Sequence, residues 1–287
     1  MKHKQKWIET GMRAVFFTTA CFSILSVALI CVFLFINGIP GIQKIGLTNF
    51  LMGREWKPTD VPPLFGILPM IMGSTYVTAG AIVVGVPIGI FVATYLSMYA
   101  HPRIYRIFKP AVELLAGIPS IIYGFFGMVV IVPLVRTLFG GNGSSILAAS
   151  VLLGLMILPT IIGIAESAMR AVPRNYYEGA LALGASHERS VFFVVLPAAK
   201  SGILAAIVLG IGRAIGETMA VIMVAGNQAR MPVSLFKGVR TMTANIVIEM
   251  GYAADLHREA LIATGVVLFV FILIINLSFS ALKRKKA

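Results

Sequence analysis

Six long apolar runs, each bounded by basic or turn-forming residues, dominate the chain: roughly residues 14–36, 67–98, 110–138, 146–169, 203–226 and 260–282. A bilayer core is crossed by about 20 mainly apolar residues in helical form. The runs are continuous rather than alternating, so the pattern predicts six transmembrane helices. The first run follows a basic start, MKHKQKW, but it is longer than the core of a cleavable signal, and the NGIPG after it offers no small-x-small cleavage site. It is expected to be a retained first span. Prolines sit inside the runs at Pro69, Pro87, Pro119, Pro133 and Pro159. They are tolerated where neighbouring helices or water satisfy the freed carbonyls, and they predict a bundle that bends.

Composition agrees with the pattern. With 58% hydrophobic and 12% charged residues, and a mean hydropathy of +0.92, the chain has too little polar surface to cover a soluble globule. The net charge of +13 does not point to nucleic acid, because the basic residues are scattered at the ends of the runs. Of the 24 Lys and Arg residues, fifteen fall on the side of the termini, eight on the other, and Arg213 within the membrane. The excess predicts cytoplasmic N- and C-termini. Cys21 and Cys31 lie ten apart in one run, a rise of roughly 15 Å on a helix, which is beyond disulfide reach. No internal repeat or low-complexity linker divides the sequence, so residues 1–287 form one membrane domain.

Signatures of soluble enzymes are missing. There is no Gly-Lys pair for a phosphate loop, no Cys-x-x-Cys and no His-Glu-x-x-His. The stretch GIGRAIG spaces its glycines one residue away from a dinucleotide fingerprint and follows no soluble strand. Gly212 and Gly216 instead make a G-x-x-x-G pair, which lets a neighbouring helix approach closely. His3, His101, His187 and His257 fall in loops or tails without clustering, and read as solvated. Neither catalytic residues nor a metal or cofactor site is expected.

The charged residues in the fifth run are the exception. Arg213 and Glu217 stand four apart, with Thr218 beside them, in GIGRAIGETMAV. An arginine or glutamate at mid-membrane costs about 2.5–3.5 kcal/mol, whereas an exposed helical pair contributes only about 0.2–0.5 kcal/mol. The pair is therefore expected to face protein or a water-filled cavity. Two readings fit: an interhelical salt bridge that locks the bundle, or a site on a transport pathway where Arg213 attracts an anion and Glu217 is a proton acceptor or gate partner on the same face. Glu166 with Arg170, and Lys109 with Glu113, read as interfacial pairs.

The loop from about 171 to 202 has room for two short helices and mixes small residues with large ones. Small residues admit another surface and large ones fill a groove in it. Here Glu178-Gly179-Ala180, Gly184 and Val194-x-Leu196-Pro197 resemble the EAA loop of prokaryotic ABC importer permeases, with Gly179 and Val194 as mild departures. The stretches ELLAGIPSIIYGFFG, AMRAVPRNYYEGALALGAS, LGIGRAIGETMAV and SLFKGVRTMTANI are similar to phosphate-specific permeases of the PstC type. Met219-Ala220-Val221 fits PstC better than the companion PstA type, which typically continues with AP.

The resemblance implies a type I ABC importer permease fold in the prokaryotic inner membrane, and a transport subunit that is not itself an enzyme. It implies that a coupling helix containing Tyr177, Glu178, Gly179, Ala180, Leu181, Gly184 and Ala185 docks on an ATPase. The implied partners are a PstA-type second permease, a PstB-type ATPase dimer that uses ATP and Mg, a PstS-type extracytoplasmic phosphate-binding protein, and membrane lipid. A permease for another oxyanion, such as molybdate or sulfate, is the alternative.

Overall fold

The computed structural model describes residues 2–284; the side chains of residues 2–8, 279–280 and 282–284 lie outside that description, as do Lys285 and Lys286 of the basic tail. His3 and the charges of Lys2, Lys4, Lys6, Lys283 and Arg284 therefore fall outside it too. The architecture is all-α apart from one two-stranded hairpin. Among the described residues, five helices are long and apolar enough to cross a membrane, and the helical stretches His187–Ala198 and Lys200–Gly216, bent by 69° where they meet, make a sixth if taken as one span.

The first expected span lies within a longer helix, α1 (Lys2–Ile45), which continues through Pro40. It lies along the last helix, α14 (Asp255–Arg284), where Gly38 and Gly41 bring the two backbones close and Lys44 pairs with Glu259 at 2.6 Å. Most of its other side chains are exposed, as suits a lipid-facing helix. A short helix α2 (Leu47–Met52) and the hairpin β1 (Trp56–Lys57) and β2 (Leu64–Phe65) follow, with Trp56 opposite Phe65.

The second span is α3 (Leu68–Thr94) with a π-helical turn at Tyr95–Tyr99. It packs along α7 (Ile146–Arg170), the fourth span and the most buried of the spanning helices. Three glycines of α3 admit this contact: Gly80 faces Ser150, Gly85 faces Gly154 and Ile157, and Gly89 faces Ile161. A Cβ at any of them would sit under 3.0 Å from α7.

The third span begins at residue 120 rather than 110. Residues 102–117 instead form a separate amphipathic helix, α4 (Pro102–Gly117), and the chain breaks at Ile118, which is extended before Pro119. A residue preceding proline is pushed out of the helical region, so the apolar run is cut there. The span proper is α5 (Ser120–Phe126), a π turn at Gly127–Ile131, and α6 (Val132–Phe139). This π turn precedes Pro133, and another at Val191–Val195 precedes Pro197. Local widening of the helix relieves the clash between a proline ring and the carbonyl four residues back.

After α7 come α8 (Arg174–Ala182), α9 (His187–Ser190), the third π turn and α10 (Leu196–Ala198). These give the expected loop its short helices. The fifth span then differs from expectation, because α11 (Lys200–Gly216) stops and helix resumes as α12 (Met219–Val224) after a break at Glu217 and Thr218. At about 25 Å, α11 alone is short of a full crossing. Residues 225–241 fold over the start of α7, where the amides of Ile146 and Leu147 donate to the carbonyls of Lys237 and Leu235. Those amides have no partner within their own helix. Last before α14 is α13 (Met242–Glu249), capped by Thr241.

Candidate functional site

The break in the fifth span carries the residues singled out above, but not in the expected arrangement. Glu217 is the residue after α11, with extended backbone at φ −68° and ψ 129°. It does not share a helical face with Arg213, and the two form no ion pair. Its Oε1 accepts the amides of Thr218 at 3.1 Å and Ala220 at 3.2 Å, which caps the first turn of α12. Such a cap satisfies amides that have no partner within the helix. Thr218 donates its hydroxyl to the carbonyl of Gly216 at 3.2 Å, and Thr243 donates to the carbonyl of Glu217 at 3.2 Å.

Arg213 is thus left to a neutral partner. Its Nη1 donates to Thr160 Oγ1 of α7 at 3.1 Å, one residue beyond Pro159. Among the described residues no carboxylate stands within ion-pair distance of it. The G-x-x-x-G face is also open within the chain, since a Cβ at Gly212 or Gly216 would meet nothing within 4 Å. Helix packing inside the chain uses other glycines: Gly210 lies against Ile161, and Gly202 against Ala168.

At the end formed by residues 171–199, α8 has no buried residue. Leu181 is 40% exposed and Leu183 is 91% exposed. The helix ends in a Schellman motif, with Ala185 N donating to the Ala180 carbonyl at 3.1 Å and Gly184 N to the Leu181 carbonyl at 2.9 Å. That motif needs the left-handed backbone of Gly184, at φ +86°. Tyr177 and His187 share a hydrogen bond of 2.7 Å, and Tyr99 packs edge-on against His187. His187 is therefore a structural partner rather than a solvated side chain. A cavity of about 350 Å³ beside it is lined by Ser97, Arg170, Arg174, Tyr177 and Glu178, among others. The carboxyl of Glu188 is held below its usual range by its own backbone amide and by the Ser186 hydroxyl.

Two sequence-adjacent pairs merge into one cluster above this end. Glu166, 1% exposed on α7, accepts Lys109 of α4 at 2.8 Å and Tyr105 at 3.2 Å, and also pairs with Arg170. The Arg170 guanidinium lies 4.1 Å from the Tyr105 ring centre. Lys109 reaches Glu113 only at 3.7 Å, so its main partner is Glu166. Burial pushes the Lys109 ammonium down, but the Glu166 hydrogen bond and charge more than offset this and leave its pKa raised.

A second cluster, at the opposite end, carried no local motif. Glu249 accepts hydrogen bonds from Trp56 at 2.8 Å and from Arg240, and meets His257 at 2.9 Å. His257 is only 13% exposed, so it too departs from the solvated reading. Among the described residues no group of three or more His, Cys, Asp or Glu is arranged to hold a metal ion.

A bundle of broken and π-bulged spanning helices, with an exposed helical loop at one end and, in the last turn before a helix break, an arginine held by a neutral hydroxyl, is a multi-pass membrane protein. The chain belongs to the family of binding-protein-dependent transport system inner membrane components, whose model matches residues 85–287. Among relatives, it is 36% identical to the probable ABC transporter permease protein YqgH of Bacillus subtilis, over 96% of this chain and 92% of that one. It is 34% identical to the phosphate transport system permease protein PstC of Haemophilus influenzae, over 93% and 90%. The corresponding PstC of Mesorhizobium japonicum is 37% identical, over 79% and 75%.

The fold is shared with solved importers. A bacterial alginate ABC transporter chain superposes with a TM-score of 0.61 at 15% identity, covering 92% of this chain and 94% of that one. The inward-facing MetNI methionine ABC transporter gives 0.57 at 21%, covering 77% and 94%. The chain is a multi-pass inner-membrane permease with an ABC importer fold.

Proposed function

We propose that the chain is the permease subunit of an ATP-driven phosphate importer, and that Arg213 lies on the anion pathway. The observation that carries this reading is an arginine within the fifth span whose hydrogen-bond partner among the described residues is a neutral hydroxyl. A guanidinium at membrane depth costs about 2.5–3.5 kcal/mol, and no carboxylate among the described residues pairs with it. A hydrated cavity that admits an oxyanion offsets that cost. The likeness to two phosphate permeases supports phosphate as that anion.

The rest of the machine is read from the same family. A PstA-type permease supplies the other half of the pathway, a PstB-type ATPase dimer hydrolyses ATP with Mg, and a PstS-type binding protein delivers phosphate. The end bearing α8 faces the cytoplasm, in keeping with its excess of basic residues. Closure of the ATPase dimer pushes on Tyr177, Glu178, Gly179, Ala180 and Leu181, and the exposed apolar side chains of α8 fill a groove there. The Lys109–Glu166–Arg170 cluster ties that motion to α4 and α7. Arg213 attracts the anion without trapping it, since one cation and a few hydroxyls guide rather than chelate. Glu217 keeps its capping role, and its charge disfavours sulfate, which has no proton to donate to a carboxylate.

The test is uptake of labelled phosphate by cells whose one phosphate importer contains this chain, native or Arg213→Gln, after showing that the variant complex assembles and hydrolyses ATP. Lost uptake with intact ATP turnover supports the reading. Normal uptake makes Arg213 a packing residue, and no uptake with the native chain rejects phosphate as the substrate.

A further inference from the structure

The outer cluster and the helix break are joined by a single rigid element. Glu249 is the last residue of α13 and is 5% exposed. A carboxylate at the negative end of a helix is misplaced for the helix dipole, so its position depends on what it binds. It binds three other segments: the hairpin through Trp56, residues 225–241 through Arg240, and the start of α14 through His257. Arg240 also donates to the carbonyl of Asn227 and to Asn245 Oδ1, each at 3.0 Å. The rings of Trp56, Phe65 and Tyr252 enclose His257.

The other end of α13 touches the break. Thr241 Oγ1 accepts the Ala244 amide at 3.3 Å, and the Thr241 and Thr243 hydroxyls meet at 3.1 Å. Thr243 has one proton, and it goes to the carbonyl of Glu217. The Thr241 proton must then go to Thr243, which gives a directed chain from α13 to the residue that caps α12. The Met242 amide donates to Ser74 Oγ at 3.0 Å and fixes the same end to α3. Eight helical residues separate the two ends, a rise of about 12 Å.

We propose that occupancy of the outer surface by the phosphate-loaded binding protein is carried to the break in the fifth span through α13, with Glu249 as the hub at one end and the Thr243 hydroxyl as the contact at the other. This rests on the permease reading. A buried carboxylate cannot cheaply lose one of its donors. The hairpin, whose tip residue Val61 is 98% exposed, therefore moves α13 when a partner seats on it. Movement of α13 shifts the Glu217 carbonyl, and with it the start of α12 and the last turn of α11 that holds Arg213. Thr243 and Glu249 are positioning residues, since neither has to touch the anion.

The test uses the whole importer in proteoliposomes and measures ATP hydrolysis against the concentration of its own phosphate-loaded binding protein. Thr243→Val is expected to lower the maximal stimulation about five-fold, the ratio equivalent to one hydrogen bond. The half-saturating concentration and the hydrolysis without binding protein should stay unchanged, and Thr243→Ser should restore the stimulation. Glu249→Gln is expected to give the same signature. If that variant does not assemble, the Thr243 pair decides alone. Unchanged maximal stimulation in Thr243→Val overturns the link, and so does a raised half-saturating concentration with the maximum intact, which is a docking defect. A native complex that the binding protein does not stimulate overturns the permease reading, and the link with it.

Discussion

Arg213 and Glu217 stand four residues apart in the chain, yet the Arg213 guanidinium donates to Thr160 at 3.1 Å while the Glu217 carboxylate caps α12 through Thr218 and Ala220. The helix ends between them. A pair that looks like one electrostatic unit is two devices, a cation at membrane depth and a helix cap.

The cap and the charge of Glu217 can be separated by substitution. Glu217→Ala removes the acceptor of two amides and is expected to cost about 1 kcal/mol of stability. Glu217→Gln keeps an oxygen acceptor and should cost less than half of that. Thermal unfolding of the solubilised complex checks both. In the same preparations, if Glu217 also acts in the pathway as proposed, Glu217→Gln is expected to let sulfate compete better against phosphate uptake.

The glycines of α11 should divide sharply. Gly210→Leu drives a side chain into Ile161, 3.0 Å from where a Cβ would stand, and is expected to cost about 1–3 kcal/mol. Gly212→Ala meets nothing within this chain and gains helix propensity, so the isolated subunit should be as stable as the native one or up to about 1 kcal/mol more stable. If the second permease packs on the open G-x-x-x-G face, Gly212→Ala will still impair assembly with it. Unfolding of the subunit alone, beside co-purification of the pair, separates the two effects.

Glu166→Gln leaves the cations of Lys109 and Arg170 without their shared anion. Breaking a fully buried pair costs about 3–5 kcal/mol. Both partners are partly in solvent here, at 21% and 46% exposed, so the expected loss is nearer 2 kcal/mol. Thermal unfolding gives the number, and on the proposed coupling role of α8 the ratio of uptake to ATP hydrolysis is expected to fall as α4 and α7 lose their connection.

Gly184 is required for its backbone. A Cβ there meets nothing within 4 Å, but φ is +86°. Gly184→Ala is expected to weaken the end of α8 by about 1 kcal/mol, and Gly184→Asn, which tolerates this conformation better, by less. The ratio of phosphate uptake to ATP hydrolysis should fall in that order from native to Asn to Ala.

That the chain carries five or six spanning helices was legible in the sequence because burial in lipid is a composition requirement: about 20 apolar residues in a row cannot be hidden elsewhere. The exposed loop with its short helices was legible too, through its spacing of small and large residues around Gly184. The break at Pro119 was half legible, since proline restricts the residue before it, yet the apolar run continues across it and masked the start of the third span. The break at Glu217 was not legible. Residues 210–221 contain no proline, and the break is held by one local contact and one made across the fold: the carboxylate turned onto the amides one and three residues on, and the hydroxyl of Thr243, 26 residues away, on the freed carbonyl. The same holds for Glu249, which meets Trp56 from 193 residues away. Local pattern determined which segments enter the membrane, because that depends on the solvent each residue sees. Which charges meet was decided only by the tertiary structure, because a buried ion is placed by whichever donors the packed helices bring to it.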